Sequence, residues 1–156
     1  MKRFVKAGII SALMAAIAAA AMTSCAWMPD PEDPETQVEI PTYALSVGEL
    51  LASGRAGDTL WVWGYVVGAI LKEKTVIFGC DSLVPANNLA LAGSPSAGAV
   101  DSCMAVQLTK SAHKAALSLA DTLNRPLLHR KLYVRGKVST YKKFISVTNL
   151  CDYLIE

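Results

Sequence analysis

The chain has 156 residues, of which 53% are hydrophobic and 18% charged, and its formal net charge is +2. This apolar composition excludes a chain that is disordered throughout, and the length leaves room for one small domain. The charge is unevenly distributed, because residues 42–156 hold twelve basic and eight acidic residues, while residues 110–143 hold nine basic residues and one acid, Asp121.

Residues 1–24 have the pattern of a bacterial lipoprotein signal peptide. Three Lys or Arg residues among the first six precede an apolar stretch over residues 7–22. This stretch is shorter than a typical transmembrane helix and is typical of the apolar region of a signal peptide. The stretch Met-Thr-Ser-Cys then resembles a lipobox, although Met22 stands where the lipobox usually has Leu. We therefore expect acylation at Cys25 and a lipid anchor in the membrane, with an ordinary secretory signal as the alternative.

Residues 25–41 are predicted to form an acidic, Pro-rich tether. Four prolines interrupt regular structure, and the acidic side chains repel one another. The acidic cluster resembles the export signal that follows the lipidated cysteine in surface lipoproteins of the Bacteroidetes, and a solubilising linker is the alternative. The expected location is the outer membrane, with exposure at the cell surface if the cluster acts as that signal.

Residues 42–156 are predicted to form a single mainly β domain. It starts with a short helix over about 46–53, because Ser46 and Glu49 have the spacing of a capping box. Strands are predicted over about 60–71 and 75–78, and a polar Lys-Glu-Lys turn joins them.

The first predicted strand carries large aromatic residues at alternate positions: Trp61, Trp63 and Tyr65. Because side chains alternate between the two faces of a strand, Val62 and Val66 are predicted to point into the core and the aromatic residues outward. A register shift at Gly64 would change this assignment. Packing of Trp61 and Tyr65 under the amino-terminal segment or the helix is the alternative.

The middle of the domain has fewer signals of regular structure. Residues 81–101 are rich in Ala, Gly, Pro, Ser and Asn and are predicted to form a long loop with a brief strand at 88–91. A strand over 103–108 follows, and Ser111 is predicted to cap a helix that runs to about Asn124. The apolar face of this helix is expected to comprise Ala116, Leu119, Ala120 and Leu123.

Two strands are predicted near the end, over 131–140 and 144–149, and Tyr153–Ile155 is a possible continuation of the second. The order of elements predicts a five-stranded OB-fold-like barrel, with one helix between strands three and four and a short helix at its amino-terminal end. Gly64 and Gly136 lie in related Val-x-Gly-x-Val contexts and are interpreted as bends or bulges.

Several motifs resemble those of an uncharacterised OB-like domain family of Bacteroidales lipoproteins. WVWGYVVGAI is similar to the family pattern Val-x-Gly-Tyr-Ile-Val-Gly, and CMAVQL and LYVRGKV are similar to Cys-x-x-Val-Gln-Leu and Val-x-Val-x-Gly. The resemblance covers about residues 43–153 and implies the OB-like fold, without catalytic residues to transfer. Two departures are Trp63, where the family often has a polar residue, and Gly79-Cys80, which replaces a polar pair.

A binding surface is predicted on the outer face of the first and fourth strands, which are neighbours in a closed OB barrel. In the fourth strand, alternation sends Leu132, Val134 and Val138 inward. It sends outward a row with basic character, which comprises Lys131, Tyr133, Arg135 and Lys137. Sugars, bases and aromatic partners all stack on aromatic side chains beside cations. The candidate binding residues are Trp63, Tyr65, Tyr133, Arg135 and Lys137.

Catalytic, cofactor and metal motifs are not found. His113 and His129 have no Ser/Asp or Cys/Asn partner at a recognisable spacing, and both are expected at the surface. A metal site from Cys80, Cys103 and a histidine would lack paired ligand spacing. We therefore expect that the protein is not an enzyme and that it binds neither a cofactor nor a metal.

Two kinds of covalent modification are considered for the domain. Cys80 and Cys103 are expected to lie close together and to be able to form a disulfide, with Cys151 as a rival partner. Thr59 and Ser82 lie in short Asp-Thr/Ser-Leu sequences that resemble the O-glycosylation sequon of exported Bacteroidetes proteins.

These features favour a lipid-anchored, non-enzymatic binding module, whose ligand is an extracellular glycan or a partner protein. A nucleic-acid-binding OB-fold protein is the first alternative, because of the basic stretch 110–143. A structural accessory subunit of an outer-membrane complex is the second.

Overall fold

The computed structural model describes residues 40–81 and 83–156. The predicted signal peptide, Cys25, nearly all of the tether, and Ser82 therefore lie outside the described residues. Within the described ranges, no helix is both long and apolar enough to cross a membrane.

The domain is mainly β. Its strands are β1 (Ala44–Ser46), β2 (Thr59–Lys72), β3 (Thr75–Phe78), β4 (Asn88–Ala92), β5 (Cys103–Gln107), β6 (Lys131–Tyr141) and β7 (Phe144–Ile155). Its α-helices are α1 (Val47–Ser53) and α2 (Ser111–Leu117), and two 3-10 turns lie at Val100–Ser102 and Thr122–Leu127.

The described strands form one seven-stranded sheet whose pairings close into a ring. β2 pairs with β4, and the pairing continues through β5, β7 and β6 back to β2, while β1 and β3 attach to β2. The prediction of a mainly β domain is confirmed, but the prediction of five strands is wrong. β1 was missed, because three residues are too few to show a period.

The membership of the ring also differs from the prediction. β3 pairs with β2 and lies off the ring, and its place is taken by β4, which the sequence indicated only as a brief strand in a loop. All five residues of β4 are buried. A strand buried on both faces shows no alternation of apolar and polar residues, which explains why its signal was weak.

β2 contacts four other strands along its 14 residues. The pairing with β6 runs past Gly64 without a shift, so the interpretation of Gly64 as a bulge is wrong. Glycine is needed there because a Cβ atom would lie 2.6 Å from Val47 Cγ2 and 2.9 Å from the Ala92 carbonyl oxygen. The bulge predicted at Gly136 is confirmed, since the β6–β7 register shifts between Arg135 and Lys137.

The main hydrophobic core lies on the inner faces of β2 and β6. Val62 and Val66 from β2 are buried in it, as are the three inward residues predicted for the fourth strand, now β6. A second buried cluster includes Val67, Ile70 and Phe144. β2 contributes to both clusters, because its side chains alternate between the two faces of the sheet.

The capping box at the start of α1 is confirmed. The Ser46 hydroxyl accepts a hydrogen bond from the Glu49 backbone N–H (3.2 Å), and the Glu49 carboxylate accepts one from the Ser46 backbone N–H (2.8 Å). These bonds to Ser46 lower the pKa of Glu49. The helix ends at Gly54, whose left-handed conformation (φ 60°) is readily adopted by glycine.

The predicted helix over 111–124 is shorter than expected. α2 ends at Leu117, and its N-cap is Lys110 without a side-chain bond, so Ser111 is the first helical residue and not the cap. The Asn124 side-chain amide donates to the carbonyls of Ala115 (2.8 Å) and Ser118 (3.1 Å) and so holds the following 3-10 turn against the end of α2. The predicted apolar face is wrong in part, since Ala120 is exposed and Leu123 is 84% exposed.

Candidate binding face on strands β2 and β6

The β2–β6 register brings the predicted aromatic and basic rows side by side. Trp61 lies opposite Arg135, Trp63 opposite Tyr133, and Tyr65 opposite Lys131. Residues directly opposite in an antiparallel pair share a face of the sheet. We call this outer surface the aromatic–basic face: Thr59, Trp61, Trp63, Tyr65, Lys131, Tyr133, Arg135 and Lys137.

The candidate residues differ in how accessible they are. Trp63 and Tyr65 are half-buried, and so is Trp61. Arg135 and Lys137 are exposed. Tyr133 is only 5% exposed, although it lies on the outward face. Its side chain therefore offers almost no surface to a ligand, which argues against its predicted role as a direct contact.

Tyr133 is buried by a compact group of side chains at one end of the face. The Lys131 ammonium lies 4.8 Å from the ring centroid of Trp63 and 5.0 Å from that of Tyr133. It forms an ion pair with the Glu156 carboxylate (3.0 Å), which also accepts a hydrogen bond from the Tyr133 hydroxyl (3.2 Å). Trp63 and Tyr65 meet edge to face, with centroids 6.3 Å apart. The charged and polar atoms of Lys131, Tyr133 and Glu156 therefore interact mainly with one another.

Hydrogen bonds fix the charge of the ion pair over a wide pH range. Bonding to the Tyr133 hydroxyl and to Glu156 raises the pKa of Lys131 to about 12. Bonding from Lys131 lowers the pKa of Glu156. The stabilisation from Glu156 is present above its unfolded pKa and is lost as the pH falls through the lowered value. That from Lys131 is lost as the pH rises through about 12.

Glu156 was missed by the sequence analysis. The long antiparallel pairing of β7 with β6 places the last residues of the described chain beside Lys131, with Leu132 opposite Ile155. The terminal strand Tyr153–Ile155, predicted as a possible continuation, is confirmed as part of β7. If the sequence had shown that the terminal strand pairs with the start of β6, it would have placed Glu156 beside Lys131.

Trp63→Ala is expected to lower the free energy of unfolding by about 1–2 kcal/mol. The change removes an edge-to-face contact and a partly exposed cation–π contact, each worth about 0.5–1.5 kcal/mol. The loss should stay below the ~3–5 kcal/mol typical of a fully buried tryptophan. Urea denaturation followed by circular dichroism measures it.

Leu132→Ala is the control for this prediction, because Leu132 is 1% exposed and lies in β6 next to Tyr133, the residue opposite Trp63. Its loss should be larger, about 2–5 kcal/mol. A Trp63→Ala loss equal to or greater than that of Leu132→Ala would place Trp63 in the core and contradict its assignment to the outer face.

The opposite end of the face is open. Arg135 and Lys137 form no ion pair within 4.0 Å among the described residues, whose charged contacts of this kind are Lys131–Glu156 and Lys143–Glu73. Trp61 lies directly opposite Arg135, and Thr59 opposite Lys137. Thr59, a predicted glycosylation site, is exposed at this end. The exposed Arg135 and Lys137 and the half-buried Trp61 therefore form the more accessible half of the face.

The predicted pairing of Cys80 with Cys103 is not formed. Both thiols are free, and so is that of Cys151. The prediction assumed that the strands flanking the loop pair with each other, but β3 pairs with β2, and β5 pairs with β4 and β7. The Cys103 thiol instead donates to the Ala99 carbonyl (3.4 Å), and burial raises its pKa.

The two histidines lie in different environments. His129 is exposed, as predicted, and its Nδ1 lies 2.8 Å from the Pro95 carbonyl oxygen. The surface prediction is wrong for His113, which is 8% exposed and packs edge to face on Tyr153 at 6.0 Å. Its Nδ1 atom has no hydrogen-bond partner within the described part of the chain. The described residues contain no group of three or more His, Cys, Asp or Glu that could hold a metal ion.

A small cleft lies away from the aromatic–basic face. Its volume is about 140 Å³, and its lining includes Lys74, Asp101, Lys143 and Phe144. Pockets for drug-sized ligands are larger, about 300–1,000 Å³. Lys143 is also engaged in its ion pair with Glu73. The cleft is therefore a weaker candidate than the face.

The fold and the face define a small, mainly β domain with an aromatic and cationic outer surface. The chain belongs to the family described as a domain of unknown function, DUF6359, which it matches over residues 45–156. The matched range contains every residue of the aromatic–basic face. A search of curated proteins finds no match.

Proposed function

We propose that the chain is a lipid-anchored envelope lipoprotein whose domain is a non-enzymatic, OB-like binding module for an extracellular glycan. The observation that supports this proposal most is the β2–β6 register, which sets Trp61 beside Arg135 on an outer surface. An aromatic ring packs against the apolar C–H face of a sugar, and the adjacent cation donates hydrogen bonds to its oxygens.

The order of pairings supports the OB-like part of the proposal. The ring runs β2-β4-β5-β7-β6, its β5–β7 pairing is parallel, and α2 lies between β5 and β6 in the chain. An OB-fold has five ring strands in a Greek-key arrangement and one helix after the third. In this comparison β1 and β3 are additions to the ring. Fold alone does not define a ligand, so the glycan is argued from the face.

The lipid anchor is proposed from the signal peptide and the lipobox that ends at Cys25. Acylation at Cys25 and its free amine supplies more than one chain, which is sufficient for stable anchoring. Intact-mass analysis of the membrane fraction tests this step. A Cys25→Ser protein that is still cleaved at the same bond and still bound to the membrane would contradict it.

Nucleic-acid binding is the second candidate function, supported by the unpaired cations Arg135 and Lys137. The structure reduces the basic character of the stretch 110–143, because Lys131 and Lys143 are each neutralised by a glutamate. An extracellular location would also limit access to nucleic acid. A protein partner in an outer-membrane complex is a further possible occupant of the same face.

A glycan array with the purified full chain tests the proposal. We expect selective retention on a subset of glycans, with an affinity that changes little between 50 and 500 mM salt. Binding through several phosphates falls steeply with salt, so a strong salt dependence together with retention on single-stranded DNA would favour the nucleic-acid alternative. Absence of retention on every glycan would contradict the proposal.

A further inference from the structure

A row of three side chains crosses the outer surface at the open end of the aromatic–basic face. Arg135 is opposite Trp61 on one side, in β2, and opposite Asp152 on the other, in β7. Adjacent strands lie about 4.8 Å apart, so the row extends about 10 Å across three strands. Asp152 was not among the residues selected from the sequence, because its position beside Arg135 depends on the register after the bulge at Gly136.

The two charged members of the row have free hydrogen-bonding capacity. Arg135 and Asp152 are both exposed, and no ion pair within 4.0 Å joins them, although they are direct cross-strand neighbours. One Asp152 oxygen accepts a hydrogen bond from the Tyr153 backbone N–H (2.9 Å), and the other has no partner among the described residues. The row therefore offers an aromatic ring, a donor and an acceptor side by side.

We propose that Trp61, Arg135 and Asp152 form a subsite for a neutral sugar residue, an inference that rests on the proposed function. A sugar hydroxyl both donates and accepts hydrogen bonds, so a carboxylate and a guanidinium on the same surface can each bind one. The apolar face of the ring packs against Trp61.

The Asp152 carboxylate favours neutral ligands over anionic ones. Asp152 repels a phosphate or a uronate bound beside Arg135, because like charges at a few ångströms raise the free energy of the complex. It attracts the hydroxyl hydrogens of a neutral sugar. A purely cationic face would favour anionic ligands, whereas this row favours uncharged, hydroxyl-rich ones.

Affinity electrophoresis of the full chain through gels that contain dextran, xylan or mannan tests the subsite. We expect at least one of these neutral polysaccharides to retard the wild-type protein. Asp152→Asn and Arg135→Gln should each weaken the retarding interaction by about tenfold, the loss expected for a hydrogen bond to a charged group. Trp61→Ala should weaken it by about tenfold or more, since stacking on an aromatic ring is lost.

Asp81→Asn and Arg125→Gln are the matched controls, because both residues are exposed and lie outside the aromatic–basic face and the cleft. They should leave retardation unchanged, and thermal melts of all variants should confirm that each is folded. Retardation that is lost in Trp61→Ala but unchanged in Asp152→Asn and Arg135→Gln would overturn the subsite and leave the proposed function standing. Retardation by polygalacturonate or by dT20 alone would overturn the neutral-sugar assignment. No retardation by any polysaccharide would overturn both proposals.

Discussion

Gly68→Ala is expected to destabilise the domain by about 3 kcal/mol or more, the sum of the costs of overpacking and of backbone strain. A Cβ atom on residue 68 would overlap the Ile77 carbonyl oxygen and would lie 2.9 Å from the Ile77 carbonyl carbon. Both atoms belong to the backbone of β3, so no side-chain rotation can relieve the overlap. The φ of +155° at Gly68 adds strain for any L-residue.

The expected damage is to the junction of β2 and β3, where Gly68 pairs with Phe78 on one edge of β2 and Ala90 on the other. Urea denaturation gives the change as a shift of the midpoint at constant slope. Gly48→Ala is the control, because Gly48 lies in α1 and a Cβ there meets nothing within 4 Å. Its helix should gain about 0.5–1 kcal/mol from the better helix former. Equal effects of the two substitutions would contradict the close approach at Gly68.

Asn88→Ala is expected to lower the free energy of unfolding by about 2–3 kcal/mol. The Ile70 backbone N–H donates to the Asn88 side-chain oxygen (2.7 Å), and Asn88 is 0% exposed. Alanine leaves this N–H buried without an acceptor, which costs about 1–3 kcal/mol, and leaves a small cavity in addition. The bond joins β4 to β2 where the pairing of the two strands has ended at Gly68 and Ala90.

Asn87→Ala is the matched control for Asn88. Asn87 is exposed, and its side chain accepts a hydrogen bond from the Asn88 amide (3.0 Å). Its loss should be smaller, about 0.5–1.5 kcal/mol, the typical contribution of one hydrogen bond. Protection of the Ile70 amide from hydrogen exchange should fall in Asn88→Ala and persist in Asn87→Ala. Equal stability of the two variants would mean that the buried bond contributes little.

Short-range patterns predicted the local features of the fold well. The spacing of Ser46 and Glu49 predicted the cap of α1, and the alternation around Val62 predicted which face of β2 enters the core. Both depend on residues within one turn or one strand. The adjacency of Trp61 and Arg135 needed an assumption about which strands are neighbours, and the assumed pairing is present.

Long-range features were the ones that sequence patterns did not provide. The free thiols of Cys80 and Cys103 and the buried Asn88 follow from contacts between residues far apart in the chain. Asn88 in particular looks like a loop residue, because asparagine favours turns. Its burial is tolerated because β2 supplies an unpaired donor at that point.

The candidate site was predicted in part. The aromatic and basic rows share a face, but the sequence could not show that Lys131 and Glu156 occupy the Trp63 end. Their ion pair and its contacts with Tyr133 occupy that end of the face, so the more accessible surface lies near Trp61 and Arg135. Trp63, the first candidate from the sequence, is therefore expected to contribute less to binding than Trp61.

If the outer face of β2 and β6 binds a glycan, the indole N–H signals of the tryptophans report that binding directly. The chain has three tryptophans, which gives three indole signals in a ¹H–¹⁵N spectrum, assignable by Trp→Phe substitution. The full chain is titrated with the glycan most strongly retained on the array. We predict a saturable shift of the Trp61 signal, a smaller shift of the Trp63 signal, and no shift of the Trp27 signal. Saturation of binding with the Trp61 and Trp63 signals unchanged would contradict binding at this face and place the site elsewhere on the chain.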